Sequence, residues 1–216
     1  MKTTTDVQYC SDQTHVENQA SDAMTVNEPM PAYSRDGYYT YSDYIAWDDN
    51  ERWELIDGIP FLMSAPTPNH QLLLLELSRQ LANFLKGKRY RVFISPLDVR
   101  LNYDTLDDTV VQPDVLVVCD KNKYSDNKAI SGAPDFVIEI LSLSNQKHDT
   151  VTKFKAYMDA GVHEYWIVDP VAKTVAVNIL SNGNYNTRIH GETEKVTAQI
   201  PDSCVIDLSE LFSEMV

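Results

Sequence analysis

The sequence is short of the residues that mark secreted, membrane-spanning or disulfide-rich proteins. Its three cysteines, Cys10, Cys119 and Cys204, are odd in number and widely spaced, which argues against a disulfide framework and a cysteine-rich zinc site. No apolar run approaches the roughly 18 residues of a membrane span, and the N-terminus lacks the apolar segment of a secretory signal. We therefore expect a cytoplasmic protein without a membrane partner.

Positive charge is also scarce. The chain carries 18 Lys and Arg against 32 Asp and Glu, a formal net charge of -14. Nucleic-acid binding normally draws on an excess of Lys and Arg, so this balance argues against a broad attraction to phosphates. The sum does not decide the question, because a divalent metal bound by carboxylates supplies local positive charge that the sum omits.

The composition changes along the chain. Residues 1–37 are rich in Thr, Ser, Asn, Gln and Asp and show no apolar period, which predicts a disordered N-terminal tail. Residues 38–216 contain the periodic apolar segments, and their length is typical of one folded domain with its own core. We predict a single domain after the tail.

Four helices are predicted from apolar spacing and from capping residues. Ser42 is the expected N-cap of a short first helix. The segment "NHQLLLLELSRQLANFLKGK" predicts a long core helix that ends at Gly87. A third helix is expected from about Asp149 to Ala160, and "IDLSELF" predicts a short closing helix. The core positions of the long helix are predicted to be Leu72, Leu75, Leu81 and Leu85.

The strand signals predict a mixed central sheet. The pair Asp57-Gly58 lies between short apolar runs, as in a tight hairpin. Further strands are predicted in "RVFISPLDVRL", "DVLVVC", "DFVIEIL" and "EYWIVDP", and a second hairpin around "SNGN". Nearly continuous apolar strands are typical of central strands that are covered on both faces. The fold class is therefore α/β (α+β), with helices against the sheet.

Two carboxylates stand within or beside the predicted buried strands. Asp114 opens a strand directly after Pro113, and Glu139 shares a strand face with Val137 and Leu141. An unpaired buried carboxylate is costly, so Glu139 must be neutral, be paired with a cation or ligate a metal. Two carboxylates from adjacent strand ends are ligands that suit Mg²⁺ or Mn²⁺.

A lysine follows on the third predicted helix. Asp149, Lys153 and Tyr157 are spaced i, i+4, i+8 and share one helix face. From this face Lys153 can reach back over the sheet edge toward Glu139. A lysine at such a site orients an attacking water or stabilises charge on a phosphate.

Four segments carry a resemblance to a known family. "RWELIDGIP", "QPDVLVVC", "PDFVIEILSLSN" and "DTVTKFKAYMDAGVHEYWIVDP" resemble the signature segments of a large bacterial family of restriction-endonuclease-like proteins in the PD-(D/E)xK nuclease superfamily. The resemblance covers about Tyr41 to Phe212. It implies a restriction-endonuclease-like fold, a Mg²⁺-dependent phosphodiesterase site with Asp114 and Glu139 as the motif's two acids, nucleic acid (DNA) as substrate, and a homodimer.

The resemblance also implies roles for further residues. The usual lysine lies two positions after the second acid, where this sequence has Leu141, and Lys153 holds the family's matching position on the next helix. Lys147 is the nearest substitute. Glu54, in "WELIDG", matches an acid from the N-terminal part, and we expect it to be an additional metal ligand or to orient the metal-bound water. His70, in "PNHQ", holds a recurrent family position.

Each of these residues has a structural alternative. Asp114 can cap a strand end, and Glu139 can form a structural ion pair with Lys153. Exposed positions are the usual ones for Lys153 and Glu54. His70 fits the N-terminus of a helix better than a catalytic base, and Asp149 fits a helix cap.

Three functions follow from these alternatives. The leading hypothesis is a metal-dependent endonuclease in which Asp114 and Glu139 hold Mg²⁺ (or Mn²⁺) and Lys153 positions the attacking water. The second is a non-catalytic interaction module in which the acids and Lys153 form a buried salt-bridge network. The third is a metal-dependent hydrolase of small phosphate esters.

Overall fold

We describe a computed structural model of the chain, covering residues 37–142, 148–201, 203–213 and 215. The predicted tail lies outside the described residues apart from Gly37, and so does Lys147. No helix in the described ranges combines the length and the apolar character that crossing a membrane requires.

The described helices and strands follow one another in a mixed order. The helices are α1 (Tyr41–Tyr44), α2 (Pro68–Leu85), α3 (Phe154–Ala160) and α4 (Leu208–Ser213). The strands are β1 (Trp53–Ile56), β2 (Ile59–Leu62), β3 (Arg91–Ile94), β4 (Val99–Arg100), β5 (Val110–Val111), β6 (Val115–Val118), β7 (Ile130–Ser131), β8 (Phe136–Ile140), β9 (Glu164–Asp169), β10 (Thr174–Ser181), β11 (Asn184–Gly191), β12 (Lys195–Ala198) and β13 (Cys204–Asp207).

A six-stranded mixed sheet forms the centre of the fold. Its strand order is β11, β10, β9, β8, β6, β3. Strands β8 and β9 are parallel, whereas the other neighbouring pairs are antiparallel. A smaller sheet has the order β2, β1, β5, β4, β7, and β12 pairs with β13. The predicted α/β (α+β) class with a mixed central sheet is confirmed.

The two faces of the central sheet pack against different layers. On one face Val117 and Ile138 join the leucines of α2 and apolar residues of α4, β12 and β13. On the other face Leu116 and Val137 join Tyr157 of α3 and apolar residues of the smaller sheet. Adjacent residues of one strand are thus buried on opposite faces, which explains the nearly continuous apolar runs of β6 and β8.

The predicted helices are present, but some of their ends and core positions differ from the prediction. Helix α1 begins one residue before the predicted cap Ser42: its N-cap is Thr40, whose backbone N–H and hydroxyl both donate to Asp43 at 2.8 Å. In α2 the prediction for Leu75 is wrong, because this side chain is 68% exposed. The buried apolar stripe of that helix is Leu73, Leu74, Leu77, Leu81 and Leu85.

Two further segments differ from the sequence prediction. The predicted closing helix is shorter, because Ile206 and Asp207 end β13 and the helix begins at Leu208. The predicted helix from about 149 to 160 is present, but its first part, His148–Lys153, is a π-helical turn that continues into α3. Gly161 ends α3 with φ of 82°, a left-handed conformation that favours glycine.

Candidate active site

Asp114 and Glu139 lie side by side on one face of the central sheet. Val115 of β6 pairs with Ile138 of β8 in antiparallel register, so the next position along each strand places Asp114 opposite Glu139. The two positions share the face that carries Leu116, on the side of α3 and the smaller sheet. The predicted juxtaposition of two carboxylates at adjacent strand ends is therefore present.

Asp114 is fixed by contacts from two elements. Its Oδ2 accepts a hydrogen bond from the backbone N–H of Ile140 at 2.8 Å and lies 3.1 Å from Nε2 of His70. His70 is in the first turn of α2, where its own N–H donates to the N-cap hydroxyl of Thr67 at 3.3 Å. His70 thus belongs to a helix N-terminus, as its sequence position suggests, and also orients Asp114.

Glu139 is 3% exposed and reaches toward α3. Its Oε1 accepts hydrogen bonds from Nζ of Lys153 at 2.9 Å and from the hydroxyl of Tyr157 at 2.7 Å. Its Oε2 lies 3.4 Å from the backbone N of Asp114. Oε1 of Glu139 is therefore bonded to the π-helical turn and to α3, and Oε2 faces Asp114.

Lys153 is also buried, with 3% of its surface exposed. Its Nζ lies 2.8 Å from Oε1 of Glu54, 2.9 Å from Oε1 of Glu139 and 3.5 Å from Oδ1 of Asp149. Burial alone would lower the pKa of this lysine, but the three carboxylates raise it well above its usual value. Lys153 is accordingly an ammonium ion, and its interpretation as an exposed helix lysine is wrong.

Glu54 extends from β1 of the smaller sheet and is 1% exposed, so it is not a surface acid. Its Oε1 accepts from the backbone N–H of Gln112 at 2.7 Å, and its Oε2 lies 3.1 Å from Nε2 of His148. Burial raises the pKa of Glu54, but Lys153 and His148 outweigh it and lower that pKa to about 2. Glu54 is ionised and holds Lys153.

Negative charge exceeds positive charge in this cluster. Burial raises the pKa of Glu139 well above its usual value; Lys153 opposes that shift, while Asp114, Asp149 and Glu54 add to it. Burial likewise raises the pKa of Asp149 to about 6, with Lys153 again opposing. One ammonium group therefore faces several carboxylates, an arrangement that favours a proton or an additional cation.

Most of these charged residues open onto a cleft of about 210 Å³. Its lining includes Asp114, Glu139, Lys153, His70 and Arg52, together with Ser95 and Pro96 just after β3, but not Glu54. A larger groove of about 370 Å³ runs between α3 and the smaller sheet, but the cluster does not line it. The acids and the lysine are thus reached from the smaller cleft.

The carboxylates of this site suit a metal ion that takes few protein ligands and keeps several waters. Within the described ranges, no group of three His, Cys, Asp or Glu side chains is placed to hold a metal ion. Mg²⁺ binds one or two protein carboxylates and keeps several waters, which matches the pair Asp114 and Glu139. Both oxygens of Glu54 already have protein partners, so its role as a metal ligand stays a prediction.

Comparison with known proteins identifies the family of the chain. Residues 41–209 match the Uma2 family, described as "Putative restriction endonuclease". The chain belongs to the Uma2 family. The match spans most of the chain, so the resemblance to a family of restriction-endonuclease-like proteins is confirmed. Membership of the Uma2 family supports a nuclease-like function.

Relatives of this Uma2 chain include two uncharacterised proteins of Synechocystis sp. (strain ATCC 27184 / PCC 6803 / Kazusa). The first is 28% identical over 134 residues, which cover 60% of this chain and 74% of the relative. The second is 30% identical over 117 residues, 53% of this chain and 60% of the relative. The chain thus matches less than two thirds of the second protein's length.

A solved structure shares the fold. It is a crystal structure described as "a putative nuclease belonging to DUF820" from Anabaena variabilis ATCC 29413. The two chains are 21% identical with a TM-score of 0.68, and the match covers 82% of this chain and 99% of the other. The shared fold confirms the predicted nuclease-like architecture.

Several residues of the candidate site were not identified from the sequence. Gln112 accepts from Arg52 through its side-chain oxygen at 2.7 and 3.2 Å, and its side-chain nitrogen donates to Tyr44 at 3.1 Å and Asp98 at 3.0 Å. His148, on Glu54, had no distinguishing sequence signal. Tyr157 was placed on the face of Lys153 by helical spacing, but not assigned to Glu139.

Proposed function

We propose that this Uma2 protein is a Mg²⁺- or Mn²⁺-dependent endonuclease that hydrolyses nucleic-acid phosphodiester bonds, with DNA as the substrate. The observation that carries the proposal is the pair Asp114 and Glu139, adjacent on one sheet face, with Lys153 bonded to Glu139 in the same cleft. In this proposal Asp114 and Glu139 hold the metal. When bound, the metal supplies Lewis-acid stabilisation of the charge that develops on the phosphate.

Lys153 has one donor suited to the reacting water. An ammonium group has three N–H donors, and two of them are directed to Glu54 and Glu139 at 2.8 and 2.9 Å. The next carboxylate oxygen, Oδ1 of Asp149, lies farther away at 3.5 Å and leaves the third donor without a close acceptor among these acids. We assign this third donor to the attacking water, which it orients toward the phosphorus atom.

Glu54 and Tyr157 position the residues that act. Glu54 holds Lys153 from β1 of the smaller sheet, and the hydroxyl of Tyr157 fixes the same Oε1 of Glu139 that Lys153 contacts. The other oxygen of Glu139 remains directed to Asp114. In this arrangement Glu54 is a positioning residue, and its alternative role as a metal ligand is tested below.

Arg52 is the cleft cation best placed to contact the substrate. Its Nε and one terminal nitrogen donate to the neutral side-chain oxygen of Gln112, and no described carboxylate forms an ion pair with it. A guanidinium group matches the geometry of phosphate oxygens. We assign the remaining terminal nitrogen of Arg52 to a non-bridging phosphate oxygen.

The test is nicking of supercoiled plasmid with Mg²⁺, with Mn²⁺ and with EDTA, using wild type, Glu139→Ala and Lys153→Ala purified in parallel. The proposal predicts metal-dependent nicking that both substitutions abolish. Loss in Glu139→Ala alone would move the lysine role elsewhere, with Lys147 the nearest candidate. Absence of nicking by a well-folded wild type would contradict the proposal for duplex DNA.

A second candidate function is favoured by one observation. The ammonium of Lys153 is surrounded by Glu54, Glu139 and Asp149, which also describes a structural network in a non-catalytic interaction module. Isothermal titration with Mn²⁺ separates the two functions. A structural network gives no saturable binding that Asp114→Ala removes, whereas the nuclease requires such binding.

A further inference from the structure

The local charge around α2 and β3 is opposite to that of the whole chain. Residues 77–97 contain five Lys or Arg and no Asp or Glu, although the chain carries a net charge of -14. Four of these cations, here called the basic segment, fall within six positions between the end of α2 and the start of β3. The basic segment is Lys86, Lys88, Arg89 and Arg91.

The four cations are exposed and not neutralised by described carboxylates. The fifth cation of the region, Arg79, is excluded because it pairs with Glu76 at 2.6 Å and Glu210 at 2.9 Å. In contrast, Nζ of Lys88 lies 3.0 Å from the centre of the Phe84 ring. Arg89 lies over the ring of Tyr90 at 5.1 Å. A ring holds a cation in place and leaves its net charge intact.

Strand β3 joins the basic segment to the candidate active site. Arg91 pairs with Val118 at one end of β6, and Ile94 pairs with Val115 at the other end. The next residue, Ser95, donates its N–H to the carbonyl oxygen of Asp114 at 3.1 Å and lines the cleft. At about 3.3 Å per residue, the basic end of β3 is about 13 Å from Ser95.

This spacing matches a nucleic-acid backbone. One strand of duplex DNA has a phosphate about every 3.4 Å along the axis, so about 13 Å corresponds to about four phosphates. Strand β3 is the last strand of the central sheet order, so the path follows an edge of that sheet. A backbone bound at the basic segment can extend along this edge to the acids.

We propose that the basic segment binds the phosphate backbone of the nucleic-acid substrate and directs it along β3 into the cleft of Asp114 and Glu139. This inference rests on the proposed function, since it assigns the substrate's path to the same site. On this proposal an acidic protein binds nucleic acid through positive charge that is local and that β3 connects to the cleft. An anionic membrane surface is the competing partner for such a cluster.

The experiment measures binding of a fluorescein-labelled 20-base-pair DNA duplex and of one of its single strands by fluorescence anisotropy in EDTA, where metal-dependent hydrolysis cannot occur. The test variant is a triple substitution within the basic segment: Lys86→Gln, Lys88→Gln and Arg89→Gln. The control variant also removes three positive charges, at exposed positions elsewhere: Lys121→Gln, Lys128→Gln and Lys173→Gln. The single variant Lys88→Glu and thermal melting of every protein guard against a folding defect.

The proposal predicts that wild type and control bind the duplex alike and that the test variant binds about tenfold more weakly or worse. Loss of three phosphate contacts lowers the slope of log affinity against log salt by about 2.7 for duplex DNA. This result supports the path whether or not plasmid nicking is detected, so the two proposals fail separately.

Four other outcomes would contradict the proposed route of the nucleic-acid backbone along β3. Equal losses in test and control variants indicate a general charge effect. No binding by wild type at low salt removes the basic segment as a nucleic-acid surface. Sedimentation of wild type with phosphatidylserine vesicles, without oligonucleotide binding, assigns the surface to membranes. Metal-dependent nicking that the test variant retains at full rate, with unchanged affinity, overturns the path and leaves the nuclease proposal intact.

Discussion

Nζ of Lys153 lies 2.9 Å from Oε1 of Glu139, although the two residues are 14 positions apart in the sequence. The lysine expected two positions after the acid is replaced by Leu141, which packs against the apolar cluster beneath α3. The π-helical turn before α3 ends at Lys153 and directs its side chain back to the sheet. Lys153 therefore reaches Glu139 from the helical segment, whereas the usual motif lysine would lie on the same strand as the acid.

Removal of the Lys153 charge is expected to destabilise the fold strongly. Lys153→Met leaves Glu54 and Glu139 buried without their cation, which costs about 3 to 5 kcal/mol of unfolding free energy. Urea denaturation measures this change. Lys155→Met is the matched control: this lysine pairs with exposed Asp159 on the same helix, and its loss is expected to change stability by less than about 0.5 kcal/mol. Equal stability of the two variants would contradict the ion-pair geometry.

Substitution of Asp114 or Glu139 is expected to weaken metal binding much more than substitution of Glu54. In isothermal titration with Mn²⁺, Asp114→Asn and Glu139→Gln should reduce affinity by about tenfold or more, in line with loss of a charged ligand. Glu54→Gln should change it much less, because both oxygens of Glu54 already contact protein groups. A loss in Glu54→Gln as large as that in Glu139→Gln would assign Glu54 to the metal.

The buried acid Asp149 is expected to make stability depend on pH. Its pKa is raised to about 6 in the folded protein, from an ordinary value of 3.8, mainly by burial. Between pH 4 and 6 the folded state therefore holds a proton that the unfolded state has released, so this group's contribution to stability falls as pH rises. As pH rises from 4 to 6, the unfolding free energy of Asp149→Asn should therefore increase relative to that of wild type by on the order of 2 kcal/mol. Parallel stability curves for the two proteins would show that Asp149 has no raised pKa.

We also expect a homodimer, because two nearby cuts in a duplex require two sites. Sedimentation velocity at working concentration should give about twice the 24.5 kDa mass of the chain. A monomer mass across the concentration range that supports activity would remove this prediction.

The strand residues of the site were predictable because they depend on local periodicity. The period of two placed Glu139 on the face of Val137, and helical spacing placed Lys153 on the face of Tyr157. Two buried strands and a following helix then bring these residues together with few alternatives. The N-terminal acid Glu54 differs: its contact with Lys153 depends on how the smaller sheet packs against the central one, and no local pattern encodes that packing.

Other features were missed for identifiable reasons. Strands β4, β5 and β7 are two residues each, too short to show a period. In α2 five of the first ten residues are leucine, so the sequence did not specify which of them face the core. The basic segment is present in the sequence, but the net charge of the whole chain gives no sign of it. A global sum carries no information about where charges cluster.

The proposed nuclease requires Asp114 and Glu139 to form one metal site at which the phosphodiester bond is hydrolysed. Mn²⁺ binding and plasmid nicking should therefore be measured on the same preparations of wild type, Asp114→Asn, Glu139→Gln and the control Glu164→Gln. The buried carboxylate of Glu164 accepts a hydrogen bond from Trp166 outside the cleft. We expect the first two variants to lose both saturable binding and nicking while the control keeps both. Nicking that survives in Asp114→Asn or Glu139→Gln, or wild type that binds Mn²⁺ without cleaving, would show that these two acids do not form a nuclease site.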